Sequence, residues 1–130
     1  MEFINVIAAA VAAYAFGAVW YMSLAKPWVA ASGIACDESG KPLNKSPAPF
    51  IISAIAVIVV AGMMRHMFGM AGVDTVGKGL MSGFGLGAFI AAPWLITNYA
   101  YADRPFTLTL IDGGYSVIGC TIIGTVLTLF

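Results

Sequence analysis

The chain is predicted to be an all-α integral-membrane domain, a bundle of four antiparallel transmembrane helices, and three observations carry that expectation. Four near-continuous apolar runs, Ile4 to Leu24, Phe50 to Phe68, Gly79 to Tyr99 and Leu108 to Phe130, occupy roughly two-thirds of the 130 residues. Each run holds about twenty residues, enough at a helical rise of about 1.5 Å per residue to cross a hydrocarbon core of roughly 30 Å. The composition agrees: 61% of residues are apolar, 9% are charged and the mean hydropathy is +0.94, values a small water-soluble domain could not hide from solvent. With one long aqueous loop after the first run and short connections after the second and third, the four helices form one domain, residues 1–130.

The first run resembles a secretory signal only in its Ser23-Leu24-Ala25 ending. A signal peptide opens with basic residues and has an apolar stretch of about 7 to 15 residues, whereas this chain opens Met1-Glu2 and stays apolar for about twenty, so the run is expected to be retained as a helix. Ala9, Ala13 and Gly17 recur at four-residue spacing, which lets another backbone approach. Trp20 and Tyr21 close the run at headgroup level, and the Trp28-Val29-Ala30-Ala31 segment just beyond is placed in the interface. The remainder of the first connection gathers Lys26, Asp37, Glu38, Lys41 and Lys45 with four prolines, a composition that suits an aqueous loop.

The second run ends on Arg65-His66, which either binds an anionic headgroup or simply snorkels to water, with Glu2 or Asp74 as counter-ion. After a glycine-rich connection reaching Lys78, the third run carries Gly79, Gly83, Gly87 and Ala91 on one stripe, a close-packing signal that serves either inside a subunit or between subunits. Pro93 interrupts that helix and frees a carbonyl near Phe89. Trp94 and the Tyr99–Tyr101 segment read as belt aromatics, with Trp20, Tyr21 and Trp28. Asp103-Arg104-Pro105 turns the chain, and the fourth run places Asp112 about five residues inside its start. An unpaired carboxylate costs roughly 2.5 to 3.5 kcal/mol at the centre of a membrane helix, so Asp112 needs partners, and Arg104 and Asn98 are the expected ones. It is either a helix-start anchor favoured by the helix dipole or a ligand or proton site.

Alternating helix direction sorts the polar residues into two ends. Asn5, Arg65, His66, Asp74 and Lys78 share the N-terminal side, while Asn98, Arg104, Asp112 and Tyr115 gather with Trp20 and Tyr21 at the other. Between them lie Ser82, Thr121 and apolar side chains, so no charge-conducting relay is evident. Net charge is zero, which offers no basic surface to nucleic acid. Cys36 and Cys120 lie about half a bilayer apart and are not expected to bridge, and His66 is the only histidine, which argues against a metal site within one copy. No nucleophile elbow, phosphate-cradling loop or H-E-x-x-H sequence occurs; no enzyme activity and no cofactor are expected.

Several short motifs stand in a recognisable order: Asn5, Gly17-Ala18-Val19-Trp20-Tyr21, Lys26-Pro27-Trp28, the glycine-rich third run, and Asn98 through Arg104 leading to Ile111-Asp112-Gly113-Gly114-Tyr115. Together they resemble the Domain of Unknown Function 1761 family, over most of the chain. The resemblance implies a four-helix protein of the bacterial inner membrane and brings no activity with it.

The leading functional expectation is a helical membrane protein that acts by association, as a homo-oligomer or as a small accessory subunit of a membrane complex. The alternatives are a small oligomeric transporter or channel for a neutral or small solute, motivated by Asp112 and Pro93, and a lipid or hydrophobic-ligand binder using Arg65, His66 and Lys78. Expected partners are membrane lipids and other membrane-protein copies. Lys26, Lys41, Lys45 and Arg104 on one side against Arg65 and Lys78 on the other place both termini outside.

Overall fold

A computed structural model describes residues 2–130. Its helices are α1 (Glu2–Ser23), α2 (Ala25–Ser32), α3 (Ala48–Ala71), α4 (Val76–Leu86), a single wide π turn (Gly87–Ala91), α5 (Ala92–Tyr101) and α6 (Phe106–Leu127). Four spans, Phe3–Ser23, Ala48–Ala71, Val76–Tyr101 and Phe106–Leu127, are long and apolar enough to cross a membrane, which makes this a multi-pass membrane protein.

The helix bounds differ from the apolar runs at every end, because backbone chemistry sets them and not hydropathy. Prolines stand at the N-caps of α3 and α6, where a missing N–H costs nothing. Thr75 caps α4 by accepting from the Lys78 amide at 3.2 Å, so that helix begins three residues before the apolar run. Gly33 and Gly72 close α2 and α3 in the left-handed conformation, at φ 71° and 70°. The α6 helix stops at Leu127, short of the run's end at Phe130.

The α6 helix is the centre of the molecule and packs against every other helix, whereas α3 leans mainly on α1 and barely touches α4. A third of the α6 apolar window is buried (33%), against 17% for α3. The second and third spans, adjacent in sequence, are therefore not packed neighbours; the order across the bundle runs α3, α1, α6, then the α4–α5 span. Contacts fix the directions of the packed pairs. Asn5 at the start of α1 donates to the Phe130 carbonyl at 3.0 Å beyond the end of α6, so α1 and α6 are antiparallel. Gly79, Gly83 and Gly87 face Gly124, Cys120 and Val117 in descending order, which makes the third and fourth spans antiparallel too.

Both small-residue stripes are used inside the subunit. A Cβ on Gly83 would meet the Cys120 carbonyl, and one on Gly87 would lie 2.7 Å from Val117 Cα, so these glycines are what lets the two backbones touch. Ala9 and Ala13 are buried in the main core with Val57, Ala61, Met64, Phe68, Ile123 and Leu127. The stripes do not meet each other; each docks on α6 or α3. Ala91 departs from its predicted role. The π turn adds a residue to the helical repeat ahead of Pro93, so Ala92, 8% exposed, takes the buried position after Gly87.

Candidate functional site

Two places at opposite ends of the bundle bring chemistry-bearing side chains together. The first is built around Asp112, in the second turn of α6. Its carboxylate accepts from three donors: Tyr21 Oη at 2.6 Å and Trp28 Nε1 at 3.1 Å on one oxygen, and Tyr99 Oη at 2.5 Å on the other. The donors come from α1, α2 and α5, so one carboxylate joins α6 to three other elements. Around it, Trp20 Nε1 donates to the Ile111 carbonyl at 2.9 Å. Tyr115 stacks on Phe16 and meets Tyr21 edge-on, with centroids 5.3 Å apart in the latter pair. Gly17 lies under the Tyr115 ring and Gly114 under Trp20, where a Cβ would come within 2.7 and 2.8 Å of ring carbons.

This clasp corrects the expected partners of Asp112. Arg104 does not reach it; its guanidinium donates instead to the Ser32 carbonyl at the end of α2. Asn98 is exposed, and its side chain is not among the donors to the carboxylate. Tyr115 contributes ring packing and no hydrogen bond to the carboxylate. Tyr21 and Trp28, expected as belt aromatics, turn inward as donors, as does Tyr99, and Trp20 packs over Gly114. Trp94, at 69% exposure, and Tyr101, at 90%, remain as outward-facing aromatics. Sequence carried a signal for the clasp, since Tyr and Trp cluster at the helix ends that alternation places beside Asp112. The belt explanation absorbed that signal. All three partners are donors, so the carboxylate serves as an acceptor that ties helices together, and α2 is held down at its middle by Trp28 and at its C-terminal end by Arg104.

The second place lies at the other end, between α1 and α3. An open groove of ≈ 580 Å³ is walled by Phe3, Val6, Ile7, Ile58 and Met70, and Arg65 and His66 stand in its lining. Gly62 and Gly69 form part of it, and a Cβ on either would meet nothing within 4 Å, so their missing side chains contribute to the space. A second groove of ≈ 290 Å³, lined by Ala10, Val11, Tyr14 and Ala54, shares Ile7 and Ile58 with the first. The two therefore make one trough along the α1–α3 seam. Lys78, grouped with Arg65 and His66 from the sequence, is elsewhere: it pairs with Asp74 at 3.2 Å, with both side chains exposed. Asp74 is thus committed to Lys78, and the side chain of Glu2, the other expected counter-ion, lies outside the described residues.

In the loop between α2 and α3, Asp37 Oδ1 accepts from the Ser39 hydroxyl at 2.6 Å and from the Ser39 and Lys41 amides. The Ser39 hydroxyl foremost, then the Lys41 amide, hold its carboxyl below the usual carboxylate range. Cys36 and Cys120 are both free thiols.

Comparison with known proteins adds a family. The family model described as protein of unknown function (DUF1761) matches residues 4–128, nearly the whole chain, and the chain belongs to that family. No curated protein and no solved structure matches it.

Proposed function

We propose that this member of the DUF1761 family acts by binding and not by catalysis, and that it holds an amphipathic, lipid-like molecule in the groove between α1 and α3. The observation that carries the proposal is an apolar trough whose ≈ 580 Å³ head section has the polar side chains of Arg65 and His66 in its lining. That volume falls within the range of about 300–1,000 Å³ common to small-molecule sites. Support also comes from how the other polar and small-residue features are used. The glycine stripe of the third span is spent on α6, Ala9 and Ala13 on the core, and Asp112 on an internal clasp. If copies of the chain assemble with one another or with a larger complex, the outward face of α3 is the prime surface for it, with Ile51, Ile52, Ile55 and Val59 all exposed. We assign the protein to a bacterial inner membrane with both termini outside, on the four-to-two bias of basic residues and the family resemblance.

The test fills the groove without touching the core. Gly62→Leu adds a side chain where a Cβ meets open space, so folding is expected to survive. Native mass spectrometry of protein released from its own membranes should show lipid-mass adducts on the wild type that are lost in Gly62→Leu at unchanged thermal stability. Wild type without adducts, or equal adducts on both proteins, refutes the proposal.

A further inference from the structure

Resting on that reading, we infer that the groove measures its ligand by length: it takes one straight, methyl-ended acyl chain, and Tyr14 is the end wall that limits how long the chain can be. Tyr14 lies in the fourth turn of α1, where a phenol inside a membrane span needs a partner. Its hydroxyl crosses the seam and donates to the Phe50 carbonyl in the first turn of α3 at 3.2 Å. A carbonyl has two lone pairs, so this bond leaves the helical bond of Phe50 intact. Phe50 stands four residues before Ala54, the last α3 residue in the trough lining, on the stripe that continues through Ile58 and Gly62. The Tyr14 ring, itself part of the lining, is therefore tied across the seam where the trough stops.

Three features of the trough fit such a chain. It narrows toward Tyr14, from ≈ 580 Å³ in the section at the ends of α1 and α3 to ≈ 290 Å³ in the section that Tyr14 closes. The closed end is apolar: Ile7, Ala10, Val11 and Ile58 wall it, and the Tyr14 hydroxyl proton is committed to Phe50. A methyl terminus meets a ring there, whereas a chain ending in a hydroxyl or carboxyl would be left without a partner. The length is bounded on both walls. Phe3 to Tyr14 spans eleven residues of α1, about 17 Å, and Met70 to Ala54 spans sixteen residues of α3, about 24 Å. An extended chain advances about 1.3 Å per carbon, from a C–C bond of about 1.5 Å at a near-tetrahedral angle, so the trough holds about 13 to 18 carbons. The polar head then lies at the wide end, beside the first turns of α1 and the last turns of α3.

The experiment offers the full chain, in mild micelles, an equimolar series of saturated lysophosphatidylcholines with tails of about 12 to 22 carbons, and reads by native mass spectrometry which tails stay bound. The head is the same throughout, so only the tail discriminates. Occupancy on the wild type is expected to rise to about 16–18 carbons and to fall about ten-fold at 22, the size of a modest overpacking penalty. Tyr14→Ala removes the wall, so the longest tails should be held as well as those of 16 carbons. Ala54→Leu fills the last α3 position ahead of the wall and shortens the trough by one turn, about 5 Å, so its optimum should move about four carbons shorter. That opposite shift tests the ruler even if Tyr14→Ala folds poorly. A wild type that holds long and short tails alike overturns the inference, as does a Tyr14→Ala profile identical to that of the wild type or an unmoved optimum in Ala54→Leu. Failure of the underlying groove reading looks different: no tail of any length retained by the wild type, or the same adducts on Gly62→Leu.

Discussion

Gly83 and Gly85 lie two residues apart in α4 and offer a controlled measurement of how the bundle is held together. A Cβ at Gly83 would run into the backbone of α6, against the Cys120 carbonyl group, with its carbon and the Thr121 Cα both at 3.1 Å; at Gly85 it would meet nothing within 4 Å. Replacing either glycine by alanine brings the same helix-propensity gain of about 1 kcal/mol. That gain cancels in the comparison, and the difference between the two variants isolates the steric cost. Overpacking costs about 1–3 kcal/mol, and the upper part of that range applies here because the obstructing atoms are backbone and cannot rotate aside. Gly83→Ala is therefore expected to be less stable than Gly85→Ala by about 2–3 kcal/mol, a factor of roughly thirty to over a hundred in the unfolding equilibrium. The assay is equilibrium unfolding of each purified variant in mild micelles or bicelles, followed by circular dichroism. Equal stabilities would refute close packing of this stripe within the subunit. If Gly83→Ala instead dissociated an oligomer while leaving the monomer's stability intact, the stripe would be an intersubunit surface.

Three further outcomes follow from the same contacts. Asp112→Asn keeps the volume but removes the charge that three donors share, and with hydrogen bonds to a charged acceptor valued at about 1.5–3 kcal/mol it should destabilise by about 2–3 kcal/mol. Amide exchange should rise first in α2, which Trp28 otherwise pins; unchanged exchange there would mean the clasp does not hold it. Asn5→Ala removes the donor that engages the Leu127 and Phe130 carbonyls, and about 1 kcal/mol for each of the two bonds predicts exchange about thirty-fold faster in the last turn of α6 with no change elsewhere. The loop turn around Asp37 should depend on acid with a definite sign. Its folded carboxyl lies below the ordinary 3.8, so its contribution to loop order is complete above that value and disappears as pH falls through the depressed one; proton chemical shifts of Ser39 and Lys41 that stay flat on acidification below pH 3.8 would contradict this.

The number of spans, their approximate extents and the placement of polar residues at membrane ends were legible in the chain itself. Each is a property of one residue against one solvent: an apolar side chain in hydrocarbon, or a charge that must reach water, has the same preference whatever its neighbours do. The close-packing role of Gly79, Gly83 and Gly87 was legible for a related reason, since an absent side chain is visible in sequence, although which backbone would approach was not. Tertiary structure decided every pairing. Asp112 finds Tyr21 and Trp28 across sequence separations of 91 and 84 residues, and hydropathy assigned those same side chains to an outward belt. Ala91 yielded to Ala92 because one wide turn before Pro93 shifted the helical phase, a change of backbone geometry that a four-residue spacing cannot anticipate. The α1–α3 groove is likewise a joint property of two helices: Gly62 and Gly69 look like the packing glycines of the third span until α3 is seen to lie at the edge of the bundle, where no helix fills the space they leave.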